Sequence, residues 1–150
     1  MPSDEDFMRE ALREAQRAFE EDEVPIGAVI VKGGEILVRA HNLREKLNDP
    51  TAHAELIAIR LAAVKLNSWR LLDTTLYVTV EPCPMCAGAI VLARVKRLVF
   101  GAIDPKAGAA GTLMNLLDDV RLNHRVEVTG GVLEEESGKL LRAFFLQRRN

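Results

Sequence analysis

No apolar run among the 150 residues is long enough to cross a bilayer, so a membrane-spanning helix is not expected. Basic charge is not in excess either. Twenty Lys and Arg against 22 Asp and Glu leave a net charge of -2, which excludes attraction to nucleic acid through the overall field. Any such site must be a local patch, and the candidates are Arg94, Lys96 and Arg97, then Lys106, then Arg121 and Arg125, and finally Arg142, Arg148 and Arg149. The opening Met1-Pro2-Ser3-Asp4-Glu5-Asp6 is acidic and polar, unlike a secretory leader, so the expected compartment is the cytoplasm. In that reducing setting the two cysteines point to metal binding or redox chemistry rather than to a structural staple. No repeat or low-complexity tract interrupts the chain. What is present is ordinary: 48% apolar and 28% charged residues describe a globular protein, and 150 residues suit one domain, 1–150.

Ser3 followed by Asp6 predicts a helix cap, and Phe7, Met8, Ala11, Leu12, Ala15, Ala18 and Phe19 recur at helical spacing, giving a helix over 4–21. Val24-Pro25-Ile26-Gly27 breaks it. Two β-rich runs, 28–31 and 36–40, flank a Lys32-Gly33-Gly34-Glu35 turn and predict a hairpin. Asp49-Pro50-Thr51 carries helix-start chemistry, and the apolar positions that follow predict a helix ending near Asn67-Ser68. A strand over 75–80, a helix over 84–92 and a strand over 97–103 imply a parallel crossover. A small-residue loop, 107–111, a helical turn, 113–117, a last strand, 126–129, and a closing helix, 134–149, complete the pattern. The expected architecture is a mixed five-stranded sheet with helices on both faces, since parallel strands must be covered on each side.

Two segments carry chemistry: Thr51-Ala52-His53-Ala54-Glu55 and Glu81-Pro82-Cys83-Pro84-Met85-Cys86. Cys83 and Cys86 stand three apart where a strand hands over to a helix, a spacing that chelates a metal, and helix-end amides favour their thiolates. His53 supplies a third ligand. Three protein ligands leave one position of a tetrahedral zinc for water, whose pKa the metal lowers, and Glu55 is placed to take that water's proton. The pairing of His-x-Glu with Pro-Cys-x-x-Cys is the signature of zinc-dependent nucleobase deaminases. Residues two apart diverge by about 200° around a helix, so His53 and Glu55 converge only near a helix end, and His53 is expected in the first or second turn. Competing readings are a thioredoxin-like redox pair and a closed structural zinc completed by His41 or His124. Neither gives Glu55 a task. Taken singly, His53 reads as a core or capping histidine and Glu55 as a solvated carboxylate; the combination favours the catalytic zinc.

At these residues the chain resembles the bacterial tRNA-specific adenosine deaminases, which convert adenosine to inosine at the anticodon wobble position. The likeness extends through Glu23-Val24-Pro25-Ile26-Gly27-Ala28-Val29, His41-Asn42, Leu76 to Cys83, the Gly101 to Gly111 loop, Asn123-His124-Arg125-Val126 and Phe144-Phe145. It implies a three-layer α/β/α fold like that of the cytidine deaminases, one zinc per chain, and a homodimer whose RNA site borrows residues from the second subunit. It further implies that Asn42 hydrogen-bonds the flipped nucleotide and that Val24, Ile26 and Ala28 line the base pocket. Asp104 and Lys106 are expected along the tRNA anticodon stem-loop, with Arg148 and Arg149 near its phosphates. The rival reading is a deaminase of a free base or nucleotide such as guanine, for which the same zinc motif serves. A noncatalytic zinc scaffold is the third, and it has no use for Glu55.

Overall fold

A computed structural model describes residues 2–148, and Arg149, expected at the RNA, lies outside them. Five helices, α1 (Asp4–Glu20), α2 (Arg44–Leu47), α3 (Ala54–Leu66), α4 (Pro84–Leu92) and α5 (Glu134–Arg148), surround five strands: β1 (Gly27–Lys32), β2 (Glu35–His41), β3 (Thr74–Val80), β4 (Arg97–Ala102) and β5 (Glu127–Thr129). The sheet order is β2-β1-β3-β4-β5. β1 pairs antiparallel with β2 and β3, whereas β4 lies parallel to both β3 and β5. The expected mixed sheet is therefore observed.

Alternation along the inner strands sorts side chains into two cores. Ala28 and Ile30 of β1, Leu76 and Val78 of β3, and Leu98 and Phe100 of β4 pack with Ala54, Ala58 and Ala62 of α3 and Ala87 and Ile90 of α4. The intervening Val29, Val31, Tyr77 and Val99 meet Phe7, Met8 and Ala11 of α1 on the opposite face. That is the period-two pattern of a sheet buried on both sides, and it gives the three layers.

Local chemistry explains the boundaries. Ser3 Oγ accepts from the Asp6 amide at 3.2 Å while Asp6 accepts from the Ser3 amide at 2.9 Å, closing the capping box that opens α1. Gly33 and Gly34, at φ 61° and 78°, form the tight turn of the β1–β2 hairpin. Gly27 lies so close to α1 that a Cβ there would come within 2.1 Å of the Ala11 carbonyl and 2.4 Å of the Ala15 amide. Backbone cannot yield as a side-chain tip can. Gly27→Ala is therefore expected to cost about 3 kcal/mol or more; a wild-type midpoint in urea unfolding would refute the close approach.

Two expectations are corrected. The helix expected to open at Asp49-Pro50-Thr51 begins at Ala54 instead, after the unexpected one-turn α2. Asp49 spends its carboxylate locally, accepting from the Thr51 amide at 2.8 Å and the Thr51 hydroxyl at 2.7 Å, which makes a turn rather than a helix cap. The helical turn expected at 113–117 is a 3₁₀ turn at Leu116–Asp118, capped by Asn115.

Candidate metal and catalytic site

The parallel strand β3 runs out into Glu81-Pro82-Cys83, and Cys83 is the residue that precedes the first turn of α4. Pro84 occupies that first turn, where a missing amide hydrogen costs nothing, and Cys86 follows one turn inside. From the neighbouring helix α3, His53 approaches in extended conformation, φ -79° and ψ 149°, as the residue just before Ala54. The site thus sits where two helix N-termini converge, and their free amides favour anionic sulfur. His53 is thus not in the first or second turn of the helix, as expected, but just before it in extended backbone, which resolves the divergence of residues two apart because only Glu55 of the pair is helical.

The ligand atoms of His53, Cys83 and Cys86 lie within 4.8 Å of one another. His53 Nδ1 is 3.7 Å from Cys83 Sγ and 3.5 Å from Cys86 Sγ. The Cys86 thiol donates to Cys83, and this contact, aided by His53, holds Cys83 down to about 3 despite burial. The same contact, with burial, pushes Cys86 far up. Contact with Cys83 in turn holds the imidazole above its ordinary value. A dication bound here would displace protons from these ligands, since thiolates and a neutral imidazole are the ligating forms. One imidazole and two sulfurs fit zinc, which would keep a fourth position for water.

Glu55 stands beside this cluster, 3% exposed, and its Oε1 has no hydrogen-bond partner. Burial pushes its carboxyl up to about 7. A buried carboxylate oxygen without a partner is expensive, and persists where a ligand or water completes it. His41 is not a fourth ligand. Its ring nitrogens lie 3.0 Å from Glu14 Oε1 and 3.2 Å from Glu21 Oε1, and His124 Nε2 is 2.7 Å from the Val95 carbonyl. The closed structural zinc considered from sequence is therefore not formed among the described residues.

Comparison with known proteins agrees with this geometry. A profile described as the MafB19-like deaminase matches residues 2–149. The tRNA-specific adenosine deaminase of Bacillus subtilis is 59% identical over 99% of this chain and 92% of its own length, and that of Aquifex aeolicus is 52% identical over 96% and 95%. The chain belongs to the tRNA-specific adenosine deaminases, within the MafB19-like deaminase family. A solved structure from work on A-to-I editing by tRNA:A34 deaminases at the wobble position superposes with a TM-score of 0.87 at 47% identity, over 90% of this chain and 98% of that one. A guanine deaminase from Nitrosomonas europaea shares the fold, with a TM-score of 0.84 over 96% of this chain and 85% of that one, at only 24% identity.

Within this tRNA deaminase family member the remaining expected residues fall into three places. Asn42 is 3% exposed, and its Oδ1 accepts from the Ala54 amide at 2.8 Å, capping α3 in place of His53. Ala28 is wholly buried in the core under α3, whereas Val24 and Ile26 keep accessible surface. Val24 lines a groove with Arg44, Phe144, Phe145 and Arg148. Arg148 donates to the Asp22 carbonyl and stacks over Phe144, its guanidinium carbon 4.7 Å from the ring centre. Lys106 is exposed on the Asp104 loop, near Arg142 and Phe145. Asp104 accepts from the Lys106 and Ala107 amides at 3.0 and 3.1 Å.

Sequence reasoning missed three buried carboxylates: Glu14, 5% exposed against His41, and two that gather backbone amides. Glu23, 1% exposed, accepts from the Glu45 and Lys46 amides at 3.0 and 2.7 Å and so caps α2. Glu81, 2% exposed, accepts from the loop after β4. Burial acts to raise its carboxyl, but hydrogen bonds from Thr112 and the amides of Asp104, Thr112 and Ala110 hold it below the ordinary value. The place of Glu81 inside the Glu-Pro-Cys run was the one signal available, and it concerned Glu81 alone.

Proposed function

We propose that this protein hydrolytically deaminates adenosine to inosine at the wobble position of a tRNA anticodon loop. The observation that carries the reading is the buried Glu55 carboxylate, its Oε1 without a partner, beside the His53, Cys83 and Cys86 cluster in a chain 59% identical to a tRNA-specific adenosine deaminase. His53, Cys83 and Cys86 would hold zinc, which supplies Lewis acidity that brings a water within reach of deprotonation near neutral pH. Glu55 takes a proton from the attacking water and delivers it to the ring nitrogen next to C6. The water oxygen forms a bond to C6, and the C6–N bond breaks. Glu55 carries the second proton to the leaving amine, so that ammonia departs and C6 becomes a carbonyl. Burial keeps bulk water from short-circuiting these transfers.

Around that centre the reading assigns the RNA contacts. Asn42 Oδ1 is occupied by Ala54, so its amide hydrogens are the groups left for the flipped nucleotide. Val24 and Ile26 would offer apolar surface to the base, and the reading assigns Asp104, Lys106 and Arg148, together with Arg149 outside the described residues, to the flanking nucleotides. A homodimer is part of the same proposal. Helix α3 is apolar nearly all round yet leaves Val64 81% and Leu61 46% exposed, and Leu92 of α4 is 69% exposed. Helices of that character are normally covered, and a second copy is the occupant proposed. Among the described residues no helix is long and apolar enough to cross a membrane; the proposed location is the cytoplasm, as one domain.

An adenosine-bearing anticodon stem-loop should be converted to inosine, with free adenine, adenosine and guanine left nearly unchanged. An unpaired loop base is enclosed at modest cost, and flanking contacts supply positioning energy at the reacting carbon. Xanthine from guanine, with no inosine in the stem-loop, would transfer the assignment to the guanine deaminase reading. Raising salt should weaken stem-loop binding, and neutralising Arg148 or Arg149 should lower the slope of log affinity against log salt by about one each if both contact phosphate. Unchanged slopes would remove them from the interface.

A further inference from the structure

The strand end that leads to Cys83 and the loop after β4 are tied together by one side chain. Glu81 follows β3 and stands two residues before Cys83, and its own amide donates to the Ala102 carbonyl at the end of β4. Its carboxylate then accepts four hydrogen bonds. Oε1 receives the Asp104 amide at 3.1 Å and the Thr112 hydroxyl at 2.5 Å, and Oε2 receives the Ala110 and Thr112 amides, each at 3.0 Å. Every one of these donors belongs to residues 104–112. Glu81 is absent from the cluster able to hold a metal, so its contacts run to the loop and not to the ligands. The loop is shaped to admit it: a Cβ at Gly108 would come 2.5 Å from Glu81 Oε1. A backbone contact from the Ala109 amide to the Pro82 carbonyl, at 2.9 Å, lies alongside.

A loop whose amides turn inward onto one buried carboxylate has little freedom of its own. Deleting that anion leaves inward-facing donors unpaired in a water-poor setting, and the loop must open to rehydrate them. The loop carries Lys106 outward and Asp104 beside it, part-exposed with its carboxylate closing on the Lys106 and Ala107 amides, and the proposed function sets both against the RNA.

We infer that Glu81 is a positioning residue for the RNA substrate: its carboxylate gathers the 104–112 loop and fixes it in register with the strand end that delivers Cys83. This rests on the tRNA reading given above. Because Glu81 touches neither substrate nor the metal ligands, its loss should show in KM more than in kcat. Asp104 and Lys106 would be presented in many arrangements rather than one, and the substrate would bear the cost of ordering them on binding.

The test compares wild type with Glu81→Gln, Thr112→Val and Gly108→Ala. Glutamine keeps the volume of Glu81 but turns an NH₂ toward incoming donors. Valine removes only the hydroxyl donor, and the alanine methyl displaces the carboxylate from the loop side. Three quantities are measured: zinc per chain, hydrogen exchange of the Asp104, Ala110 and Thr112 amides without RNA, and steady-state kinetics on an adenosine-bearing anticodon stem-loop. For Glu81→Gln we expect wild-type zinc, exchange of those three amides about tenfold faster or more, and KM raised about tenfold with kcat within about threefold. Gly108→Ala should reproduce that pattern from the opposite side of the contact, and Thr112→Val should show it in weaker form. Wild-type protection of the loop amides in both Glu81→Gln and Gly108→Ala would overturn the inference, as would a fall in kcat at constant KM. Loss of zinc from both would overturn it too, by making Glu81 a support of the metal ligands. A wild-type protein inactive on the stem-loop would instead defeat the reading beneath it, a result visible before any variant is made.

Discussion

Glu55→Ala is expected to bind zinc as wild type does and to lower kcat on the stem-loop by about three orders of magnitude, the range of a lost positioned acid–base group. The residue is helical, buried and in the first turn of α3, whereas the ligand His53 is extended and just outside it. Removing one should not move the other. Substantial residual turnover would refute the proton-transfer role, and zinc lost in step with activity would place Glu55 among the ligands, once circular dichroism had excluded misfolding. Glu55→Gln sharpens the test through stability. Burial raises the folded carboxyl from 4.5 to about 7, so the unfolded chain releases this proton at lower pH than the folded one. Stability is then lost as pH rises from about 4.5 through about 7. Glutamine escapes that penalty, and the metal-free variant at pH 8 should exceed metal-free wild type by up to about 3 kcal/mol. A less stable glutamine variant would show that the carboxylate is compensated by contacts absent from this structure.

Stripping the metal, or replacing Cys86 with serine, should abolish activity and lower Tm by about 10 °C at saturating reference zinc, since a ligand present at about 1,000 times its Kd contributes about 4 kcal/mol. Cys86 is the fully buried member of the pair, and its sulfur is 3.5 Å from His53 Nδ1. Serine is too short and too hard a donor to replace that sulfur for zinc. Metal analysis and a thermal melt on the same sample decide the matter. Cys83→Ser with both full metal and full activity would defeat the ligand set, and active protein carrying well under one zinc per chain would defeat the metal assignment itself.

These expectations were open to a reader of sequence because each ligand is local to a motif. Cys83 and Cys86 are three apart, and Pro84 marks the helix start between them. The apolar run Ala28-Val29-Ile30-Val31 and the strand, helix, strand order from Thr75 to Ile103 could be read directly, which is why the layered fold was legible. The path into α3 was not. Asp49-Pro50-Thr51 has the residues of a helix opening, yet Asp49 closes on Thr51, and the cap of α3 comes from Asn42, twelve positions before Ala54. A tertiary cap leaves no periodic trace. Glu23 and Glu81 escaped for a related reason. Carboxylates default to the surface, and only the folded chain shows which amides they collect. The apolar face of α3 was legible as hydrophobic, though sequence alone could not divide it between core and open surface.

The order of the sheet has a consequence for how the chain is made. β1 and β2 close a hairpin, β3 then adds to the free side of β1, β4 to β3 and β5 to β4. Each new strand emerging from a ribosome therefore meets an edge already laid down, and none has to be threaded between two that have paired. The growing side is always the one later covered. Cys86 is translated before β4, so the three sulfur and nitrogen donors are all outside the exit tunnel well before the sheet that walls them in is finished. Pulling-force profiles on stalled nascent chains should rise in separate steps as β3, β4 and β5 clear the tunnel; a single late step would mean that the edge waits for its strand. The protein is built in the order in which it is read.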